Sequence, residues 1–291
     1  MRIPGPAPVV VGVNGTSSGL AATRLGAREA VARGQPLRIV HVFTWPGGRF
    51  FDDAPDWATA RHEAGRIVDE AVATAARTVP GVQVEGLLLD GLPVRELLRQ
   101  SRTADLIVLG DDDLALSPRL PADSVLVQTV SRALCPVVVA RGNRPPAGPL
   151  LTAVDGSPSS LLALRLAAVE GRRRAVPVEV AHVVDHDRDR AAGRRLLESA
   201  LASVGGLAGA RTRLLVGEPA PLLVHASHRA GMMIVGPRGT SGGSLLGEVA
   251  QQLLRRCACP TVFVHGPVRT VIPAPRTVGS LSARSSVPKE G

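Results

Sequence analysis

Short continuous apolar runs alternate along the chain with longer segments rich in Ala, Arg, Leu and Glu. The runs at Val9–Val13, Leu37–Phe43, Val82–Leu89, Leu106–Leu109 and Val137–Ala140 predict strands, and the segments Leu20–Arg33, Ala58–Thr78, Val94–Arg102 and Ser124–Ala133 predict helices. The pattern then begins again, with strands predicted near Leu150–Val154, Val178–Val184, Arg211–Val216, Met232–Val235 and Thr261–His265. Strands separated by helices need crossover connections, which are right-handed and build a parallel sheet. The runs read as continuous apolar strands more than as polar-alternating ones, so both faces of the sheet are expected to be covered. The chain is therefore read as an α/β protein with helices on both faces of its sheets.

The second round repeats the first. VVVGV runs into Asn14-Gly15-Thr16 and LLTAV into Asp155-Gly156-Ser157, and His41-Val42 is matched by His182-Val183, both at an offset of 141. Gly91-Leu92-Pro93 corresponds to Gly217-Glu218-Pro219, and LIVLG ending at Gly110 to MMIVG ending at Gly236, both at 126. Cys135-Pro136 and Cys259-Pro260 lie 124 apart. Five landmarks in one order predict a tandem duplication. The drop from 141 to 126 places an insertion in the first half, in the stretch GGRFFDDAPDW. The expected organisation is a first domain over 1–141, a Pro/Gly-rich linker over 142–148, a second domain over 149–267 and a disordered Pro/Ser/Arg-rich tail over 268–291.

Composition narrows the partners. At 291 residues, 45% hydrophobic and 20% charged, the chain can bury a core. No apolar run approaches the ~20 residues of a membrane-spanning helix, and MRIPGPAPVVVGV lacks the apolar segment of a secretion signal, so a cytoplasmic location is expected. The net charge of +9 is carried by Arg, with Lys289 the only lysine, which reads as codon bias. Residues 1–147 hold 16 basic and 15 acidic side chains, residues 148–268 hold 14 and 9, and residues 269–291 hold 4 and 1. That excess would suit nucleic acid, but aromatics are only 2% with no Tyr, which leaves little for base stacking. Nucleic acid is accordingly disfavoured. Cys135, Cys257 and Cys259 flank strand-like runs and are expected to be buried thiols; no Cys or His cluster completes a metal set around Cys257-Ala-Cys259.

In open parallel sheets ligands sit beyond the carboxyl ends of the strands, so the turns after the first and fourth strands carry the chemistry. In the second half that turn is GPRGTSGGSLLG, Gly236 to Gly247, opening a helix. Glycine lets backbone N–H groups approach phosphate oxygens, and the helix amino terminus favours an anion. Taken together, the strand ending in DGS, then HV, G-x-P, VG-x-RG with a Gly-rich loop, and CPV resemble the universal stress protein family in its tandem form, over about Val9–Arg141 and Leu150–His265. The resemblance implies two Rossmann-like, adenine-nucleotide-hydrolase-like domains, each a five-stranded parallel sheet of order 3-2-1-4-5, paired through their last strands. Some members bind ATP and others do not.

The nucleotide-binding loop of that family is similar to G-x2-G-x9-G followed by Ser or Thr. In the first half Gly110 is followed by Asp111, Asp112 and Asp113, and Asp123-Ser124 stands at the final position. Carboxylates there repel a polyphosphate; they are expected on a solvated face or as a weak cation site. In the second half Gly236, Arg238 and Gly239 fit, but only seven residues precede Gly247, and Glu248 replaces the hydroxyl. By the resemblance, Asp155 and Val183 face the nucleoside, and Gly236, Arg238, Gly239 and Gly247 surround the phosphates. Asn14 replaces the acid in the first half. The expected ligand is thus ATP or another adenine nucleotide, held in the second domain only, with the first domain structural. The expected protein contacts are the other half of the chain and a second copy of it.

Other chemistry finds less support. Gly15-Thr16-Ser17-Ser18-Gly19 matches G-x-S-x-G, but it follows the first strand, and Asp155-Gly156-Ser157-Pro158-Ser159 does not preserve it, so these hydroxyls are read as helix caps. No lysine serves a Walker loop, and no G-x-G-x-x-G follows the first strand. His225 and His228 are read as exposed or capping, and Arg172–Arg174 as a solvated helix end. A non-catalytic stress-response or signalling module is expected. The alternatives are a metal-dependent ATP hydrolase using Asp155 or Glu248, and a basic nucleic-acid-associated regulator without a nucleotide site.

Overall fold

The computed structural model describes residues 7–45, 56–111, 114, 120–142, 147–239 and 246–265. Most of the proposed insertion, Asp112, Asp113, residues 143–146 of the linker, residues 240–245 of the Gly-rich loop, and the tail lie outside them. The first half runs β1 (Val9–Gly12), α1 (Ser17–Arg33), β2 (Leu37–Phe43), α2 (Trp57–Thr78), β3 (Val84–Asp90), α3 (Pro93–Gln100), β4 (Leu106–Leu109), α4 (Val125–Arg132) and β5 (Val137–Val139). The second runs β6 (Leu150–Ala153), α5 (Pro158–Arg174), β7 (Val178–Val184), α6 (Arg190–Ala202), β8 (Arg211–Val216), α7 (Pro219–Ser227), β9 (Met232–Val235), α8 (Glu248–Arg256) and β10 (Thr261–Phe263).

Local chemistry sets the boundaries. The hydroxyls of Thr16, Ser157 and Ser124 accept the N–H of Gly19, Ser160 and Val127 at the starts of α1, α5 and α4. Pro93, Pro158 and Pro219 occupy first helical positions, where their missing N–H costs nothing. The carboxyl cap of α1 is Gly34 in the left-handed region (φ +62°), and its counterpart 141 residues on is Ala175, held at φ +53°. A side chain there costs about 1 kcal/mol or more relative to glycine.

All ten strands join one sheet in the order β3-β2-β1-β4-β5-β10-β9-β6-β7-β8. Each half has the order 3-2-1-4-5 with every neighbour parallel, and the two halves meet in an antiparallel pair, Val137 opposite Phe263 and Val139 opposite Thr261. The central strands β1, β4, β5, β6, β9 and β10 are buried, as helices on both faces require. Two apolar cores result, one on each side of the sheet, and each contains residues of both halves.

Reciprocal contacts tie the halves together. The Arg141 guanidinium, just after β5, donates to the Leu254 carbonyl on α8, and the His265 imidazole, just after β10, meets the Val130 carbonyl on α4. Both ends of this pair are related by the same offset of 124. On the opposite face α1 and α5 exchange ions. Arg33 reaches Glu170 at 2.9 Å and Arg174 reaches Glu29 at 2.5 Å, and all four residues are related by 141. Arg33 also pairs with Glu29 and Asp105, and Glu170 with Arg173 and Arg174. Three carboxylates thus balance three guanidiniums, with Glu29 and Glu170 at 2% and 1% side-chain exposure. Burial alone would raise the Glu29 carboxyl, but Arg174 and Arg33 outweigh it and hold it below the ordinary range. The expectation of a solvated Arg172–Arg174 is corrected: Arg172 is exposed, while Arg173 and Arg174 turn inward because two glutamates are buried beneath them.

Candidate functional site

The carboxyl ends of β6, β7 and β9 open into a cavity of about 290 Å³. Asp155, Val183, Gly236, Arg238, Gly239 and Gly247 all line it, so the fold brings the six candidate residues together. His182, Ser160, Pro219 and Leu223 complete much of the wall. The sequence reading left those four out of the site, although His182 and Pro219 lie in two of the repeated landmarks.

Each position has a local cause. Asp155 lies early in the turn after β6, and its Oδ1 accepts from the Ser157 N–H at 2.9 Å and the Ser157 hydroxyl at 2.6 Å. Burial works to raise its pKa, but the bonds from Ser157 prevail and hold the carboxyl below the ordinary range. Its other oxygen, Oδ2, faces Gly239, where a Cβ would stand 2.7 Å away. Gly236 is glycine for a packing reason: a Cβ would lie 2.1 Å from the Ser159 hydroxyl and 2.8 Å from the Ser159 carbonyl carbon. The His182 ring donates through Nδ1–H to the Val154 carbonyl at 2.8 Å, which leaves Nε2 as the acceptor of the neutral ring.

The wall closes on the start of α8. Gly247 caps this helix without a side-chain hydrogen bond, and its own N–H donates to the Pro237 carbonyl at 2.9 Å. Among the described residues, the first-turn N–H groups of α8 therefore border the cavity with no side-chain cap, a setting that favours an anion. Exposed Arg238 adds positive charge at the rim, while exposed Glu248 opposes it. Burial of the His265 ring and the nearby Arg238 charge hold its pKa down, against a bond to the Val130 carbonyl that favours the protonated ring.

The first half has a smaller counterpart of about 170 Å³, lined by Gly12, Asn14, His41, Leu97, Leu109 and Leu126 among others. Leu109 and Leu126 stand where the second half has Val235 and Ala250, and the added carbons narrow the space. The Asp111 N–H already donates to the Ser18 hydroxyl at 2.7 Å, and the Asp111 carboxylate pairs with Arg141 at 2.6 Å. Asp111, with its side chain 32% exposed, keeps part of the expected solvation, and its charge faces an arginine brought by the end of β5. Ser124 caps α4 there, so that helix start is closed by its own side chain. Thr16 caps α1, with Ser17 exposed beside it, in keeping with the capping reading of that turn. His225 and His228 are exposed, at the end of α7.

Among the described residues no group of three or more His, Cys, Asp and Glu side chains converges as a metal set, and no helix is long and apolar enough to cross a membrane.

A doubly wound sheet duplicated in one chain, with a glycine-lined cavity at its strand ends, defines a tandem Rossmann-like α/β protein. The chain belongs to the universal stress protein family, whose profile matches residues 7–141 and 147–265. A universal stress protein of Mycobacterium tuberculosis is 32% identical over 289 residues, covering 88% of this chain and 96% of the relative. One from Mycolicibacterium smegmatis is 27% identical over 284 residues, with the same coverage of 88% and 96%. The crystal structure of a universal stress protein from Archaeoglobus fulgidus superposes with a TM-score of 0.68 at 16% identity, covering 89% of this chain and 96% of that one, which shows the shared fold.

Proposed function

We propose that the protein is a non-catalytic stress-response module of two domains, 1–141 and 149–267, in which the second binds ATP or another adenine nucleotide and the first is structural. The observation that carries this reading is the convergence of Asp155, Val183, Arg238, Gly239 and Gly247 on one cavity bordered by the start of α8, which no side chain caps among the described residues. A volume of about 290 Å³ lies at the lower end of the range for small-molecule sites. It suits a nucleoside inside the cavity with its phosphates at the rim, against Arg238 and the α8 amino terminus. Asp155 is a poor general base, since its lowered pKa leaves it little proton affinity near neutral pH.

Calorimetric titration with ATP, on the full-length protein and on Gly239→Asp, tests the site. The substitution sets a Cβ against Asp155 Oδ2 and adds a carboxylate beside the phosphate position. Binding by the parent and a loss of at least about tenfold in the variant, roughly 1.4 kcal/mol, is the expected result. Equal binding by both would mean the nucleotide sits elsewhere. Binding by neither would mean the cavity survives without this ligand. Phosphate release is expected to stay at background with Mg²⁺ or Mn²⁺, and release above background would replace the non-catalytic reading with that of an ATP hydrolase.

A further inference from the structure

The turn that links α8 to β10 contains a pair of thiols whose first-half counterpart has only one. Cys257 and Cys259 are both buried, and their sulfur atoms lie 3.8 Å apart. The matching turn from α4 to β5 reads Ala133-Leu134-Cys135-Pro136, so alanine stands where the second half has Cys257. The two turns are built alike. Ala258 N–H donates to the Ser227 hydroxyl at 2.9 Å, and Leu134 N–H to the Ser101 hydroxyl at 3.1 Å. The capping N–H of Cys257 meets the Leu253 carbonyl at 3.0 Å, and that of Ala133 meets the Thr129 carbonyl at 3.0 Å. Even the backbone at the cap agrees, with φ −59° in both and ψ of 134° and 153°. The fold therefore makes this turn without a thiol at the first position, and Cys257 is surplus to its architecture.

We propose that Cys257 and Cys259 form a dithiol modification site, oxidised by a peroxide to an intrachain disulfide. The Cys257 thiolate attacks the peroxide oxygen, giving a sulfenic acid and releasing water once the leaving hydroxide takes up a proton. Cys259 sulfur then attacks the sulfenic sulfur, its proton leaves with the hydroxyl as a second water, and the S–S bond forms. Two thiols lose two electrons and hydrogen peroxide gains them. The sulfurs must close from 3.8 Å to about 2.0 Å, a movement confined to one short turn. Either sulfur can donate across the 3.8 Å contact; with Cys259 as the donor the Cys257 thiol is lowered and that of Cys259 raised, which assigns the first attack to Cys257. The bridge forms at the carboxyl end of α8, whose other end borders the cavity through Val249 and Ala250.

The test is hydrogen peroxide treatment of the reduced full-length protein, followed by alkylation under denaturing conditions and peptide mass mapping. The expected result is a 257–259 peptide that escapes alkylation and is about 2 Da lighter, with Cys135 still alkylated and the loss reversed by dithiothreitol. Alkylation of all three cysteines, a sulfinic acid at Cys257 without a bridge, or a disulfide involving Cys135 would each overturn the proposal. Cys257→Ala copies the first-half turn; it should keep the parent's circular dichroism and Tm and lose the mass shift. A variant that fails to fold would show Cys257 to be structural, and would overturn the claim that the thiol is surplus.

Discussion

In the first half the Ser18 hydroxyl accepts the Asp111 N–H at 2.7 Å, whereas at the matching place in the second half Pro237 has no N–H to give. The corresponding hydroxyl, on Ser159, is buried with no hydrogen-bond partner among the described residues. The same contrast recurs around both cavities. Asn14 stands opposite Asp155, Leu109 opposite Val235 and Leu126 opposite Ala250, and the start of α4 is capped by Ser124 while that of α8 has no side-chain cap among the described residues. Other bonds are kept in both copies, including two at the cavity walls. His41 and His182 make the same 2.8 Å bond to Val13 and Val154, and Thr16 and Ser157 cap α1 and α5 at 3.2 Å. Duplication has kept what packs the sheet and let the strand ends diverge, which is where a second function can change without unfolding the first.

The largest effect should come from breaking the feature both halves share. Glu170→Gln leaves Arg33, Arg173 and Arg174 around a neutral side chain in a buried cluster. Removing one partner of a buried ion pair costs about 3–5 kcal/mol. Glu85→Gln, on a pair with Arg38 that is 57% exposed at the glutamate, should cost less than about 1 kcal/mol. Urea unfolding of the two variants measures both, and equal midpoints would remove the cluster from the account of how the halves are held.

Acid should reach the same cluster more gradually. The Glu29 carboxyl is held below its ordinary value of 4.5 by Arg174 and Arg33 against the opposing effect of burial. The unfolded chain therefore takes up this proton before the folded one. The contribution is complete above about pH 4.5 and is lost as pH falls through the lower folded value. In Glu29→Gln the fall in Tm between pH 5 and pH 3 should be shallower than in the parent. Parallel curves would mean that Glu29 carries no folded-state shift.

Much of this architecture was legible in the residues. The runs Leu37–Phe43, Leu106–Leu109, Val178–Val184, Arg211–Val216 and Met232–Val235 are strands at the expected bounds, because short runs rich in Val, Ile and Leu between helical segments admit little else. The family resemblance supplied the strand order. The cluster was not foreseen, although Glu29 with Arg33 and Glu170 with Arg174 repeat at the offset of 141. Charged residues near a helix end are ordinarily solvated, and only the crossing of α1 and α5 buries them. The candidate cavity was legible as far as its glycines and Asp155. The helix start without a cap and the Ser159 hydroxyl without a partner among the described residues were not, since both depend on which groups meet in space.

The smallest and most discriminating effect concerns that serine. Ser18→Ala removes the acceptor of the Asp111 N–H and should destabilise the protein by about 1 kcal/mol. Ser159→Ala removes a buried hydroxyl that satisfies nothing among the described residues, so it should be neutral or stabilising by up to about 1 kcal/mol. Both changes delete one oxygen from the same helical position in a duplicated domain, so differences in helix propensity cancel. Opposite shifts of the urea midpoint at an unchanged slope would show that Pro237 orphaned this hydroxyl when the halves diverged. Equal losses would mean that the Ser159 hydroxyl has a partner in solution, and adding ATP to both variants would show whether a ligand bound beside Gly236 supplies it.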